Sequence, residues 1–537
     1  MVSGQFTASS STMFLASKHR YILYLVLLLT AVLGVLVLIC PPALFPDPSW
    51  GFQVMRCMQQ GGGFNIATTP NPGDITKNIS AFLTWWSPGQ YLLPYGFVKL
   101  LGLNGGHAAS ATIVFCDLLG ILGFYTFFKK IGFSKQVSAL SIGFIACQQF
   151  FFIPYVFYNG GETLLFGFLG WFLYGCFSFI KADYKLIGFV LLSGWIGFFC
   201  KSAFLWMYAA GMLCLWVNLS AQSKELKTWL LNGLSIGVPA IVSLLTIYKL
   251  FLSRGSNPAT ASKGLHFTTE AFGFPLASPL LAGFSFDDVL HGLIYHADKP
   301  LLSNAQATFV LILLALISIA VFIAIIRFIP QPRYKLVVSA FYGVSCLFFF
   351  SVFLQQLDIS YEGRHFRIVG LLFIPGVLYF FTQFGPFFKV AFLILWGFIA
   401  FTSLRYFTAN YKYNVKVSAH GPTGFSQLFA DQPAMDYLQL LDKQHHNDAL
   451  FVFTSADLGL EIIHNRMITL DAPDDNGNQN YAANNEHNGY AGPLYILLPA
   501  CYITNGNAHL VEQAFPAYQH FEVKQLSKNY VVVSGLK

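Results

Sequence analysis

The stretch from Pro41 to Gly106 begins PPALFPDPSWGFQVMRCMQQGGGFN (41–65) and, after a polar segment holding Asp74, ends TWWSPGQYLLPYGFVKLLGLNGG (84–106). It follows directly on the first apolar run, Tyr21–Cys40, and a loop this long between membrane helices is expected to carry function. Asp47 stands between Pro46 and Pro48, which fix the backbone and remove amide donors, so its carboxylate is expected on a stiff turn. Trp50, Val54, Cys57 and Met58 recur at helical spacing and predict a short amphipathic piece over Trp50–Gln60. Trp85–Leu103 is aromatic and apolar but is broken by Pro88, Gly89 and Pro94, a pattern suited to lying in the membrane interface. The stretch is expected to form one wall of an active site at the membrane surface.

Composition sets the class around it. The chain has 537 residues, 55% of them hydrophobic and only 10% charged. With a mean hydropathy of +0.57, it reads as a polytopic membrane protein. The nine cysteines fall mostly in apolar runs, with neither metal-ligand spacing nor a disulfide framework. Residues 1–407 carry 24 Lys/Arg against 12 Asp/Glu, a balance of +12; residues 408–537 carry 7 against 12, a balance of −5. No phosphate loop or dinucleotide fingerprint is present, and nothing points to a nucleic-acid partner.

Working outward, eleven apolar spans are expected: Tyr21–Cys40, Ala108–Phe128, Gln136–Phe157, Thr163–Ile180, Leu186–Phe199, Ala203–Leu219, Trp229–Ser253, Ser303–Ile326, Leu336–Gln356, Phe366–Phe384 and Val390–Phe407. The first is read as an uncleaved anchor, since no small-residue cleavage site follows it. With the N-terminus in the cytoplasm, short loops bearing Lys129, Lys130, Lys181, Lys227, Arg333 and Lys389 fall inside. An odd number of spans then puts the tail outside, together with Pro41–Gly106, Tyr158–Glu162, Arg254–Leu302 and Asp358–His365. The tail, 408–537, loses its long apolar runs and reads as a small extracytoplasmic α/β domain. Strands are expected at Leu450–Ser455 and Leu494–Pro499, a helix at Asp457–His464, a hairpin at Phe521–Ser534 and a long loop at Asp474–Asn488.

The outer face gathers carboxylates and cations separately. Asp47, Asp74 and Glu162 are the acids nearest the early spans. Glu162 opens a helix, where negative charge is favoured, and a helix-start acid is its plainest reading. Asp74 follows Asn71-Pro72-Gly73 and reads first as a turn acid. Lys201 sits in a hairpin between two short spans, where a cation needs water or an anion. Arg364, His365 and Arg367 lead into a span; the two arginines, three apart, are expected to share a helix face and grip one anionic group. Headgroup snorkelling is the alternative for any one of them. A carboxylate base opposite a cationic clamp suits group transfer from a phosphate-linked lipid.

These residues carry a resemblance. The chain resembles membrane glycosyltransferases of the GT-C superfamily, the group that includes protein mannosyltransferases and the aminoarabinose transferases. The shared features are an acid in the first outer loop (Asp47) and the Trp86-Ser87-Pro88-Gly89-Gln90-Tyr91 stretch. To these are added an acid opening the fourth span (Glu162), a Lys-small pair (Lys201-Ser202) and the Arg-His-Phe-Arg run at 364–367. The resemblance implies inverting transfer of a sugar from a polyprenyl-phosphate donor to a glycan, lipid or protein acceptor at the outer or lumenal face. Asp47 would be the base, with Glu162 on the acceptor or metal side. Lys201, Arg364 and Arg367 would hold the lipid phosphate, and His365, Trp86, Tyr91 and Asp74 would line the substrate. The first loop lacks the Asp-Glu pair of some members, so the acceptor class and any divalent cation stay open. Compact cytoplasmic loops lean towards a bacterial inner membrane with the active site on the periplasmic side. A lipid-linked polysaccharide polymerase or ligase, or a transporter, is the alternative; a transporter would be expected to show internal repeats and broken polar helices.

Overall fold

The computed structural model describes residues 18–255, 260–294, 301–473 and 480–537. The polar N-terminus before Lys18, and parts of the 254–302 loop and of the Asp474–Asn488 stretch, lie outside the described residues. Contacts divide the chain into two units: Met1–Leu33, Val114–Ile153 and Glu162–Phe407 in one, and Gly34–Ile113, Pro154–Gly161 and Thr408–Lys537 in the other.

The chain is an integral membrane protein. Among the described residues seven helices are long and apolar enough to cross a membrane, from His19–Ile39 to Pro386–Lys416. An eighth span forms if Lys135–Ala146 and Gln149–Tyr155, bent by 67°, count as one. Ten of the eleven expected spans fall on one helix each and Gln136–Phe157 falls on the bent pair, but Gly161–Cys176, Tyr184–Cys200 and Phe204–Ser220 run only 16 or 17 residues. At 1.5 Å per residue they reach about 24–26 Å, short of a typical hydrocarbon core.

A twelfth apolar helix, Thr269–Gly283, lies where the sequence reads as outer loop. Thr268 caps it by accepting from the Ala271 amide at 3.1 Å. Most of its length is buried, against Asn304–Phe328, Pro332–Leu354 and Arg367–Gln383. Pro275 and Pro279 inside it remove backbone donors, and a neighbouring helix makes good part of the loss. The Cys346 thiol lies 3.7 Å from the Pro275 carbonyl, the acceptor that Pro279 leaves free. The Tyr342 hydroxyl donates to the Leu276 carbonyl at 2.7 Å. Gly283 and Gly370 let the two helices meet backbone to backbone, a spacing that a Cβ at either position would break.

The other unit holds the strands. β1 (Ala43–Leu44) precedes the hairpin of β2 (Ile66–Asn71) and β3 (Asp74–Phe82). β4 (Phe157–Tyr158), β5 (Ala419–His420) and β6 (Ser426–Gln427) complete a small sheet, in which β1 runs parallel between β4 and β6. In the tail, β7 (Leu450–Phe453), β8 (Arg466–Thr469), β9 (Leu494–Pro499), β10 (His520–Gln525) and β11 (Tyr530–Leu536) form one sheet in the order β10-β11-β9-β7-β8. The β7 side is parallel and the β11 side antiparallel. Alternating residues feed two cores: Phe451, Phe453 and Leu497 pack with the Gln432–Gln444 helix, while Val452, Ile496 and Val533 pack with Val511 and Phe515. The tail is thus a small α/β body. The helix expected at Asp457–His464 shrinks to a single 3₁₀ turn, Leu458–Glu461.

The first outer loop belongs to this same unit. Ile75 of β3 is buried in the core beneath β7 and β9. Its amide donates to the Asn488 carbonyl at 2.8 Å, and Arg466 donates to its carbonyl at 2.8 Å.

Candidate active site

In the helical unit the structure brings four of the expected site residues together. Glu162 occupies the first turn of the Gly161–Cys176 helix. Lys201 ends the Tyr184–Cys200 helix in extended conformation, and its ammonium pairs with the Glu162 carboxylate. Both side chains are largely screened from solvent, at 23% and 17% exposure. An ion pair so enclosed is costly to break from one side, because the remaining charge is left in a poor solvent. The charges of Lys201 and Arg364 both act on Glu162 and on His365.

Arg364 and His365 ride on a 3₁₀ turn, Gly363–Phe366. Arg364 Nε lies 2.5 Å from Glu362 Oε2. Ser360 Oγ donates to Glu362 Oε1 at 2.6 Å and lies 3.3 Å from His365 Nε2. Arg367 opens the next helix and faces elsewhere. It donates to the Ala282 carbonyl at 2.8 Å, approaches Asp288 at 3.5 Å and stacks over Phe150 at 4.5 Å. Arg364 is thus paired with Glu362 and Arg367 with Asp288: the change from 3₁₀ turn to α-helix between them turns their side chains apart.

A buried acid that sequence reasoning passed over holds this turn. Asp287, 5% exposed, accepts from the Gly363 amide at 2.5 Å and the Leu293 amide at 2.9 Å. Burial pushes its carboxyl up to about 6, against the pull of those two amides. The Asp287-Asp288 pair lies beyond a proline-broken apolar run, which made the region read as loop.

In the second unit Asp47 lies in the first turn of the Pro46–Gln59 helix, with Pro46 opening the helix. The proline pair therefore starts a helix rather than shaping a free turn, as suits a residue whose missing amide the first turn does not need. Asp47 is half-buried and placed where the helix dipole favours a negative charge. Asp74 ends the β2–β3 turn: it accepts from the Thr76 hydroxyl at 2.6 Å and pairs with Lys77 at 2.8 Å. Those partners hold its carboxyl down at about 2. Tyr91 is fully buried, and its hydroxyl donates to Asn65 Oδ1 at 2.7 Å; Trp86 is half-buried. Among the described residues no three His, Cys, Asp or Glu side chains converge in metal-ligating geometry.

No protein-family model matches the chain, and no curated protein matches it by sequence. Solved structures do. ArnT from Cupriavidus metallidurans bound to undecaprenyl phosphate matches at a TM-score of 0.52, with 13% identity over 97% of this chain and 98% of that one. The apo form of that ArnT matches at 0.42 with 12% identity, covering 98% of each chain. The mycobacterial arabinofuranosyltransferase AftD matches at 0.43 with 12% identity, covering 97% of this chain and 41% of its own. The first match runs nearly end to end, through the helices and the tail alike: the chain has the fold of that ArnT.

Proposed function

We propose that the protein is a membrane glycosyltransferase that moves a sugar from a polyprenyl-phosphate donor to an acceptor hydroxyl, with inversion, at the outer face of a bacterial inner membrane. One observation carries the reading: in a chain of ArnT-like fold, Lys201, Arg364, Glu162 and His365 form one half-enclosed charged cluster. Lys201 supplies a compact ammonium and Arg364 a planar fork, the two kinds of donor that bind a phosphate as a point charge and in pairs. As the sugar leaves, charge grows on the lipid phosphate, and cations fixed beforehand stabilise that state without reorganising. Glu162 and Glu362 hold the cations in place.

The acceptor hydroxyl needs a base. Asp47, in the first turn of the Pro46–Gln59 helix, takes this role, and general base catalysis of this kind contributes roughly 10²–10⁴-fold in rate. The test compares Asp47→Asn with Glu162→Gln in membranes supplied with polyprenyl-phosphate sugar. Asp47→Asn should lose most turnover while keeping expression and donor binding. A larger turnover loss in Glu162→Gln, with donor binding intact, would move the base role there. Near-normal transfer by both would remove the acid–base half of the mechanism.

A further inference from the structure

The Pro46–Gln59 helix carries Asp47 at one end and Arg56 in its last turn. Arg56 does not reach for solvent. Its Nη1 donates to the Gly459 carbonyl at 2.9 Å and its Nη2 reaches the Asn465 carbonyl at 3.5 Å. Both acceptors lie in the tail. One turn earlier, Gln53 is 5% exposed and donates through Nε2 to the Ala456 carbonyl at 2.8 Å. Two side chains of one helix thus grip three carbonyls across a single bend of the C-terminal body.

That bend is itself braced. Asp442 accepts from the Ile463 amide at 2.8 Å and the His464 amide at 3.1 Å, and its carboxylate and carbonyl both take the Asn465 amide group at 2.9 Å. Glu461 is fully buried; it accepts from Gln427 at 2.7 Å and from the Thr423 amide at 3.1 Å. The charges of Asp442 and Glu461 both act on Arg56. The helix is also held on its flank and at its start. Phe52 meets Phe425 edge-on at 5.0 Å, Ala43 pairs with Ser426, and Ser426 Oγ donates to the Pro41 carbonyl at 2.7 Å.

We infer that Arg56 and Gln53 are positioning residues: they lock the Asp47-bearing helix onto the C-terminal α/β body, which thereby serves as the scaffold that aims the catalytic carboxylate. This rests on the reading of Asp47 as base. A rigid helix passes a tilt at one end to the other, and a misplacement of about 1 Å at the reacting group costs on the order of 100-fold in rate.

The test uses the full-length chain in membranes. Arg56→Met keeps the stem and removes the grip; Arg56→Lys keeps the charge and one donor group. Arg56→Met should lower kcat at least tenfold with the donor KM unchanged, and Arg56→Lys should recover part of that loss. Gln53→Met should lower kcat in the same manner, and the double variant should fall less than the product of the two losses. An unchanged kcat in Arg56→Met would overturn the proposal. So would a fall in kcat accompanied by a matching rise in donor KM and a lower unfolding temperature, because that pattern is general loosening. Asp47→Asn, run beside them, keeps the two ideas apart. Near-normal turnover there sinks the base assignment, whereas a crippled Asp47→Asn beside a fully active Arg56→Met sinks the scaffold alone.

Discussion

At the scale of single residues, the site is a matter of who neutralises whom. Lys201 is paired by Glu162 and Arg364 by Glu362, so in the proposed reaction a lipid phosphate would compete with a carboxylate for each cation. Replacing Lys201 or Arg364 with Ala removes a charge-assisted contact, worth about 1.5–3 kcal/mol, or roughly one to two decades in apparent donor affinity. Titrating donor lipid against initial rate measures this, and an unmoved donor dependence in both variants would leave the cations as structural. Asp287 gives a pH signature. Its carboxyl rises from 3.8 to about 6 on folding, so the folded chain binds this proton more tightly than the unfolded one. The stability it contributes is full below about pH 4 and is lost as pH rises through about 6. At about 1.4 kcal/mol per pKa unit, the loss is roughly 3 kcal/mol. Asp287→Asn, neutral throughout, should therefore lose less stability than the wild type between pH 4 and 7. Matching pH profiles of thermal unfolding would remove Asp287 from the account.

At the scale of elements, the Thr269–Gly283 helix explains why the turn bearing Arg364 is held firmly. It packs against the Arg367–Gln383 helix through Gly283 and Gly370, and its Phe274 ring lies 5.7 Å from Phe366, which closes that turn. Gly370→Ala would drive a methyl into the Gly283 backbone, which no side-chain rotation relieves. Overpacking of this kind costs about 1–3 kcal/mol. Gly343→Ala and Gly397→Ala are the controls, since a Cβ at either meets nothing within 4 Å. Thermal unfolding should fall clearly in Gly370→Ala and hold or rise slightly in the controls, because Ala is the better helix former. Equal behaviour of all three would mean that the two helices separate freely.

At the scale of the whole molecule, orientation is an expectation from charge. Lysines and arginines crowd the loops after Phe128, Ile180, Leu219, Ile326 and Phe384, so reporters placed after Lys130 or Lys227 should read as cytoplasmic. A reporter at the C-terminus should read as external. A cytoplasmic C-terminus would reverse the face on which every proposed residue works. The Thr269–Gly283 helix sharpens that test: at 15 residues, or about 22 Å, it is nearly as long as the Gly161–Cys176, Tyr184–Cys200 and Phe204–Ser220 helices, so a crossing there would add a span and put the C-terminus on the other face.

Long apolar runs and an alternating tail were enough to place most of the helices and the α/β body, because burial of apolar surface and the period of side chains along a chain are local properties. Glu162, Lys201, Arg364 and His365 were legible too, since a charge beside an apolar run has few reasons to be there. What stayed hidden was partnership. That Glu162 binds Lys201, that Arg367 turns from Arg364 to Asp288, and that Asp287 caps Gly363 depend on contacts between residues tens of positions apart. The same holds for Arg56, an ordinary basic residue near the end of an amphipathic helix until the fold sets Gly459 and Asn465 before it. Pro275 and Pro279 broke the pattern of a helix whose freed Pro275 carbonyl the Cys346 thiol meets only in the folded chain. Local sequence sets which segments must leave water; which charges and carbonyls then meet is decided only when those segments pack.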